Sequence, residues 1–407
     1  MISFTQRKTA SWICLLLLIC AVLIASHVAR PFVYLSHDID TYEKISVRAW
    51  IDPVIRSEYP PLTTSLFALL NPPSLSWVFP DMWILMIVIV LLAAAAWCAV
   101  RCSVKDACKL LGASLLTMLL LGFELTWGRY DVLIGLLLLL TWLAHKHERF
   151  AAAGFFLLLA ASFKLVPLVL LPILLLKTEP TSRRSLLRGG VVGILLGLIV
   201  PLLTLGMQGS VGNMMYMLQY HAARGVQVES TWSGLSMLSQ AFQGKRSTII
   251  YEFASYQNIE VWKIVRPLSV ILALLGLGWV FLRSRTRKSP DPAPLFLCAL
   301  FWLLSVSTVL SPQYLCWVLP LLFAWFVEQV ATSDARKRNV SIVIASLSIV
   351  AALMTYWLYF GPEQGVLLAQ KFTAPTIVLN VRNALLLLLA WLLYAESVRK
   401  SSSTSSG

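Results

Sequence analysis

Two carboxylates, Asp38 and Asp40, stand in the run Ser36-His37-Asp38-Ile39-Asp40-Thr41-Tyr42, just past the first long apolar stretch of the chain. A carboxylate at such a boundary acts as a general base when an acceptor hydroxyl docks beside it. The same residues also serve as solvated loop acids or helix N-caps, and Asp40, shortly before YEKISVRAW, suits a cap. Further on, Ser57-Glu58-Tyr59-Pro60-Pro61-Leu62 pairs two prolines, which hold an extended backbone and then open a helix at its first turn. Phe123-Glu124-Leu125-Thr126-Trp127-Gly128-Arg129-Tyr130-Asp131 crowds three charges into a tight turn, where Arg129 pairs with Asp131 or Glu124, or meets an anionic ligand. Lys164 lies about 21 Å up a helix counted from Phe150 at 1.5 Å per residue. It is the one charge expected deep within a span. An ammonium there marks either a functional site, suited to a phosphate, or an ion pair with an acid such as Glu124. His221 and Arg224 are three apart and share a helix face, which suits a phosphate oxygen or an interfacial helix with snorkelling side chains. Ser311-Pro312-Gln313-Tyr314-Leu315-Cys316-Trp317 adds polar and aromatic groups of the kind found in an aromatic belt.

The elements that must position these residues follow from composition. The chain has 407 residues, 58% of them hydrophobic and only 13% charged, with a mean hydropathy of +0.77. So few charges cannot cover a water-soluble surface, and the class is a polytopic integral membrane protein, all-α. Clear spans run 11–29, 82–100, 109–127, 131–146, 187–206, 264–282, 293–311, 313–330, 340–360 and 375–396. The first reads as a retained span rather than a cleaved leader. Residues 150–176 are long enough for one crossing, but Lys164 and Pro167 sit in the middle. If the segment breaks there and returns, seven basic clusters fall on one side: Arg7/Lys8; Arg101/Lys105/Lys109; Lys146/Arg149; Lys177/Arg183/Arg184/Arg188; Arg283/Arg285/Arg287/Lys288; Arg336/Lys337/Arg338; and Arg399/Lys400. They hold 20 of the 33 Lys and Arg residues and account for nearly all of the net charge of +14. The positive-inside rule then predicts about twelve crossings, two of them short, with both termini cytoplasmic. The basic balance is topological and implies no nucleic-acid partner. The seven cysteines lie mostly in apolar runs and form no disulfide framework.

The expected organisation is a single membrane domain over 1–398 with a disordered tail over 399–407. Two long outer loops, 30–81 and 207–262, form a roof over the site, with 42–50 and 212–223 as short amphipathic helices along the interface. There is no Walker loop, no H-E-x-x-H and no G-x-S-x-G. Asp38-Ile39-Asp40 is formally D-x-D, but on the outer side a glycosyl donor must be carried by a lipid.

In order along the chain these pieces resemble glycosyltransferase family 87, the polyprenol-phosphate-sugar-dependent, mannosyltransferase-like proteins with the C-type (GT-C) fold. The resemblance is carried by Asp38…Tyr42, by Tyr59-Pro60-Pro61-Leu62, by Gly128-Arg129-Tyr130-Asp131-Val132-Leu133, by Gly154…Lys164…Pro167, by Tyr220–Ser230 and by Ser311–Trp317. At Gly128–Asp131 the chain departs from the Gly-Gln-x-Asn of many relatives. The resemblance implies inverting transfer of a hexose, usually mannose, from a polyprenyl-phosphate sugar to a lipid-linked or cell-envelope glycan, on the extracytoplasmic face of the plasma (inner) membrane. It implies Asp38 as general base, with Asp40 as the fallback. Lys164, His221, Arg224 and Arg129 are expected at the donor phosphate. Tyr42, Tyr59, Asp131, Gln227, Glu229, Gln313, Tyr314 and Trp317 are expected around sugar and acceptor. A polyprenyl phosphate is already a tolerable leaving anion, so no metal and no cofactor is expected. The same fold admits arabinose, glucose or galactose on the same type of lipid. A secondary transporter or lipid flippase is a weaker reading, because it asks for repeated halves and midplane charges.

Overall fold

The computed structural model describes residues 4–52, 55–72, 78–253, 255–286, 291–360 and 373–398. The tail 399–407, Arg287 and Lys288, and the side chains of Arg7 and Lys8, lie outside the described residues. Helices dominate, as the apolar composition requires: in hydrocarbon a backbone must satisfy its own hydrogen bonds. In chain order they are α1 (Phe4–Tyr34), α2 (His37–Ile51), α3 (Pro61–Leu70), α4 (Phe79–Arg101), α5 (Val104–Leu121), α6 (Phe123–Trp127), α7 (Asp131–Lys146), α8 (Phe150–Phe163), α9 (Leu171–Lys177) and α10 (Arg183–Ala223). They continue as α11 (Thr231–Phe242), α12 (Val265–Thr286), α13 (Ala293–Val306), α14 (Leu319–Val330), α15 (Ala335–Phe360) and α16 (Ala374–Val398). Short 3-10 turns cover Val166–Leu170 and Pro312–Trp317. Among the described residues, seven helices are long and apolar enough to cross a bilayer, and shorter apolar helices include Phe150–Phe163, Val166–Lys177 and Ala293–Val306. The chain is thus an all-α polytopic membrane protein. Large side chains such as Leu17, Leu203 and Leu274 stay exposed on the long helices, as lipid-facing residues do.

Backbone contacts divide the chain into two compact units. The first holds Met1–Leu171, Thr178–Arg224 and Leu315–Ala324; the second holds Pro172–Lys177, Gly225–Tyr314 and Trp325–Gly407. In the first unit α1 packs on α4 and α5, and α8 packs along α10. The α8–α10 seam is made by small residues: a Cβ on Gly154 would collide with the Leu186 carbonyl, and one on Gly189 with the Ala151 carbonyl. Small residues let membrane helices approach closely where no hydrophobic drive separates lipid from side chain. At the other end of α7, Asp106 gathers Lys109 at 2.9 Å and His147 at 2.7 Å, tying the α7–α8 turn to the start of α5.

In the second unit α13 and α15 pack on α16, as does α11. An antiparallel hairpin, β1 (Ile249–Glu252) with β2 (Ser255–Asn258), was not legible in the sequence. It is completed by the segment Val226–Val228, whose backbone meets β2 through Val228 N to Tyr256 O (3.0 Å) and Asn258 N to Val226 O (3.0 Å).

Candidate active site

The first unit brings most of the expected residues together at helix ends. The helix α2 begins at His37, with Ser36 at its N-cap, so Asp38 and Asp40 both lie in its first turn. The N-cap position expected of Asp40 is therefore taken by Ser36, whose side chain makes no capping hydrogen bond, because the helix starts before YEKISVRAW rather than at it. Acids in a first turn complement the helix dipole. Beyond that their surroundings differ. Asp40 is exposed, while the Asp38 side chain is only 14% exposed and pairs with Arg129 at 2.5 Å.

Arg129 is placed by a tight link between α6 and α7. Gly122 ends α5 with a φ of 81°, and Gly128 closes α6. A Cβ on Gly128 would press on the Glu124 carbonyl and on Ser36 Oγ. Glycine there lets the start of α2 come against the turn, which is what allows Asp38 to reach Arg129.

Asp131 opens α7 and is 1% exposed. It accepts a hydrogen bond from Trp317 Nε1 at 2.7 Å and pairs with Lys164 Nζ at 2.8 Å. Lys164 reaches it because α8 stops at Phe163: Lys164 has extended backbone (φ −160°, ψ 127°), and Val166–Leu170 continues as a 3-10 turn. Pro167 prevents the helix from running on. The expected break in 150–176 is thus present, beginning at Lys164. The ammonium also lies 4.6 Å from the Trp317 ring centroid and 5.2 Å from that of Tyr130, the geometry of cation–π contacts. The two pairings, Arg129 with Asp38 and Lys164 with Asp131, each join different elements.

An aromatic wall stands beside these pairs. Tyr42 stacks on Phe67 at 4.2 Å, and Tyr59 meets Tyr42 and Tyr130 edge-on at 5.5 and 5.4 Å. The backbone of 57–59 is held from α10: Asn213 Nδ2 donates to Ser57 O (2.9 Å) and Tyr59 O (3.1 Å), and His221 Nε2 meets Glu58 O at 3.1 Å. Arg224, just past α10, acts electrostatically on Glu58, and His221 feels both Arg224 and Lys164.

These groups interact through low-dielectric surroundings. Burial pushes the Asp38 carboxyl above the ordinary aspartate range, with Arg129 pulling the other way and Asp131 adding to the rise. Burial likewise raises Glu58, opposed in part by Arg224 and reinforced by Asp38. In sequence Glu58 belongs to a loop-to-helix junction, and nothing in its spacing signals that it is drawn in beside Asp38. Three carboxylates and three cations thus share one region. Such an arrangement can take a proton from a hydroxyl and stabilise a departing phosphate. Among the described residues no group of three or more His, Cys, Asp or Glu side chains is placed to hold a metal ion.

Four expected residues belong to the second unit. Gln227 is buried and its backbone N–H donates to Thr308 O at 2.9 Å. The Glu229 carbonyl accepts from Arg382 Nη2 at 3.0 Å and Asn383 Nδ2 at 3.3 Å. Gln313 Oε1 accepts from Ser311 Oγ at 2.5 Å, and Tyr314 is buried. Arg382, 1% exposed in α16, corrects the expectation that Lys164 is the one deep charge. Its position inside the span 375–396 was the available signal, since an ionisable residue within an apolar span is functional or structural by default.

A membrane-embedded helical protein with paired acids and bases at its helix ends is the class that fold and site define. The family model of glycosyltransferase family 87 matches residues 58–312, more than half of the chain. The chain belongs to glycosyltransferase family 87 and is a membrane glycosyltransferase. Comparison with curated proteins and with solved structures returned no match. The matched segment includes Tyr59, Arg129, Asp131, Lys164, His221, Arg224, Gln227 and Glu229; Asp38, Asp40, Tyr42, Gln313, Tyr314 and Trp317 lie outside it.

Proposed function

We propose that the protein transfers a hexose, mannose in the first instance, from a polyprenyl-phosphate sugar to a lipid-linked or cell-envelope glycan, with inversion, on the extracytoplasmic face of the plasma (inner) membrane. Asp38 is the general base. The observation that carries this is the contrast between the two paired carboxylates. Asp131 is sealed and held by both Trp317 and Lys164, whereas Asp38 keeps part of its side chain open and has its affinity for a proton raised by burial. A base needs that combination of access and proton affinity. Exposed Asp40 has neither the burial nor the ion pair.

The acceptor hydroxyl oxygen attacks the anomeric carbon, its proton passes to Asp38, and the bond from that carbon to the phosphate oxygen breaks. The leaving polyprenyl phosphate is stabilised by Lys164, His221 and Arg224. Arg129, expected at the phosphate, is better supported as the group that keeps Asp38 ionised between turnovers. Tyr42 and Tyr59 offer a flat wall for the sugar, and Asp131 with Trp317 holds Lys164 in place. With Lys164, His221 and Arg224 at the leaving phosphate, the reaction would need neither metal nor cofactor. The polyprenyl chain stays in the bilayer.

The test is transfer of radiolabelled mannose from polyprenyl-phosphate mannose by protein in nanodiscs, with the arabinose, glucose and galactose donors in parallel. Asp38→Asn is expected to lower kcat by about 10²–10⁴-fold with folding intact. Full activity in that variant removes Asp38 as base, and preference for another donor changes the sugar.

A further inference from the structure

The second unit contains a cavity that the reaction above does not use. Its volume is about 300 Å³, the lower end of the range for small-molecule sites. One wall is the polar face of α11. Ser236, Ser239, Gln240 and Gln243 are spaced i, i+3, i+4 and i+7, which aligns them along one side of the helix. The facing wall is Glu260 and Trp262, brought round by the hairpin. Lys245 and Arg246 close the end, following the left-handed turn at Gly244 (φ 73°).

The polar groups are tied to one another, by two long contacts and two short ones. Gln240 Nε2 donates to Ser236 Oγ at 3.4 Å and Gln243 Nε2 to Ser239 Oγ at 3.4 Å. Thr248 Oγ1 donates to Glu260 Oε1 at 2.6 Å, and Ser247 Oγ donates to Gln240 Oε1. The two long amide contacts are weak and the two short ones fix Gln240 and Glu260, while each amide NH2 keeps a second N–H and each amide or carboxylate oxygen a further lone pair. Trp262 is 54% exposed, so its indole offers an open flat face at the edge of the cavity.

Carboxamides and a carboxylate with spare donors and lone pairs, beside an open indole face, match a pyranose: hydroxyls around its rim and an apolar C–H face. The lining is too polar for an acyl chain, and Glu260 offsets one of the two cations, Lys245 and Arg246, at its end. We propose that this cavity is a saccharide subsite that binds one neutral pyranose residue of the acceptor. The inference rests on the reading of the acceptor as a glycan.

The experiment uses the full chain in nanodiscs. Saturation-transfer NMR with mannobiose, cellobiose and maltose is expected to show binding of at least one disaccharide, weakened about tenfold or more by Trp262→Ala and by Gln240→Ala, with Trp262→Phe partly restoring it. In the transfer assay, Trp262→Ala is expected to raise the acceptor KM about tenfold while kcat changes less than twofold. Three results overturn the subsite: no disaccharide binds, binding is indifferent to Trp262 and Gln240, or inorganic phosphate displaces the saccharide in a manner abolished by Arg246→Gln. The NMR arm needs no donor. If no polyprenyl-phosphate sugar is turned over, the transferase reading fails, while Trp262-dependent saccharide binding still upholds the subsite.

Discussion

Asp38 and Asp131 are the same residue type in the same unit, and their neighbours give them different work. Asp131 is sealed and receives an indole N–H and an ammonium; Asp38 is partly open and answers mainly to one guanidinium. The pH dependence follows from the second. Burial disfavours the charged form of Asp38 and lifts its pKa above the usual aspartate value of about 3.9. A base works deprotonated, so kcat/KM is expected to fall as pH drops through that raised value. Arg129 favours the carboxylate, so Arg129→Gln removes the opposing influence and moves the acid limb to higher pH. At a pH just above the wild-type limb the variant is therefore slower, and it recovers part of the loss as pH rises. A pH profile of kcat/KM for the two proteins checks this; an unmoved limb would assign the titration to another group. The residue types at these positions were legible in sequence. Which acid meets which base was not, because adjacent charges in a turn have several partners within reach.

At the scale of the element, α10 carries the clearest constraint. Its 41 residues would span about 60 Å at 1.5 Å per residue, twice the roughly 30 Å of a bilayer core. Gly206 interrupts it with φ 69° and ψ 175°, a conformation nearly confined to glycine. Sequence periodicity places a span at 187–206 and an interfacial helix at 212–223, and the structure joins the two across this kink. The C-terminal arm then delivers Asn213 and His221 to the backbone of 57–59. Gly206→Ala is expected to cost about 1–3 kcal/mol and to lower activity along with the thermal midpoint, because the arm can no longer hold its angle. Gly112→Ala, within α5 and with open space around it, is expected to be neutral or slightly stabilising. Thermal unfolding in detergent of both variants distinguishes the strained glycine from the ordinary one. A similar logic applies to α8: the helix was expected to break within 150–176, but only the backbone shows that Lys164 itself is the residue turned out of it.

For the whole molecule, charge placement gives a testable orientation. The basic clusters predict that Lys337, beside Asp334 at the start of α15, faces the cytoplasm, while Glu252 at the hairpin faces outward. With a membrane-impermeant maleimide on intact cells, Glu252→Cys is expected to label directly and Lys337→Cys only after permeabilisation. The reverse pattern would move the proposed reaction to the cytoplasmic face.

The amino-acid sequence by itself determined the class and the order of the long apolar helices, since hydrophobic length is a local property of the chain. It also offered candidate site residues by type. Tertiary structure decided their partnerships. Trp317 donates to Asp131 across 186 residues, Asp38 meets Arg129 beside a turn where Gly128 leaves room for Ser36, and Arg382 is drawn from within an apolar span onto the Glu229 carbonyl. Each depends on which helix ends converge, and convergence is set by packing over the whole unit, which no local pattern of residues encodes.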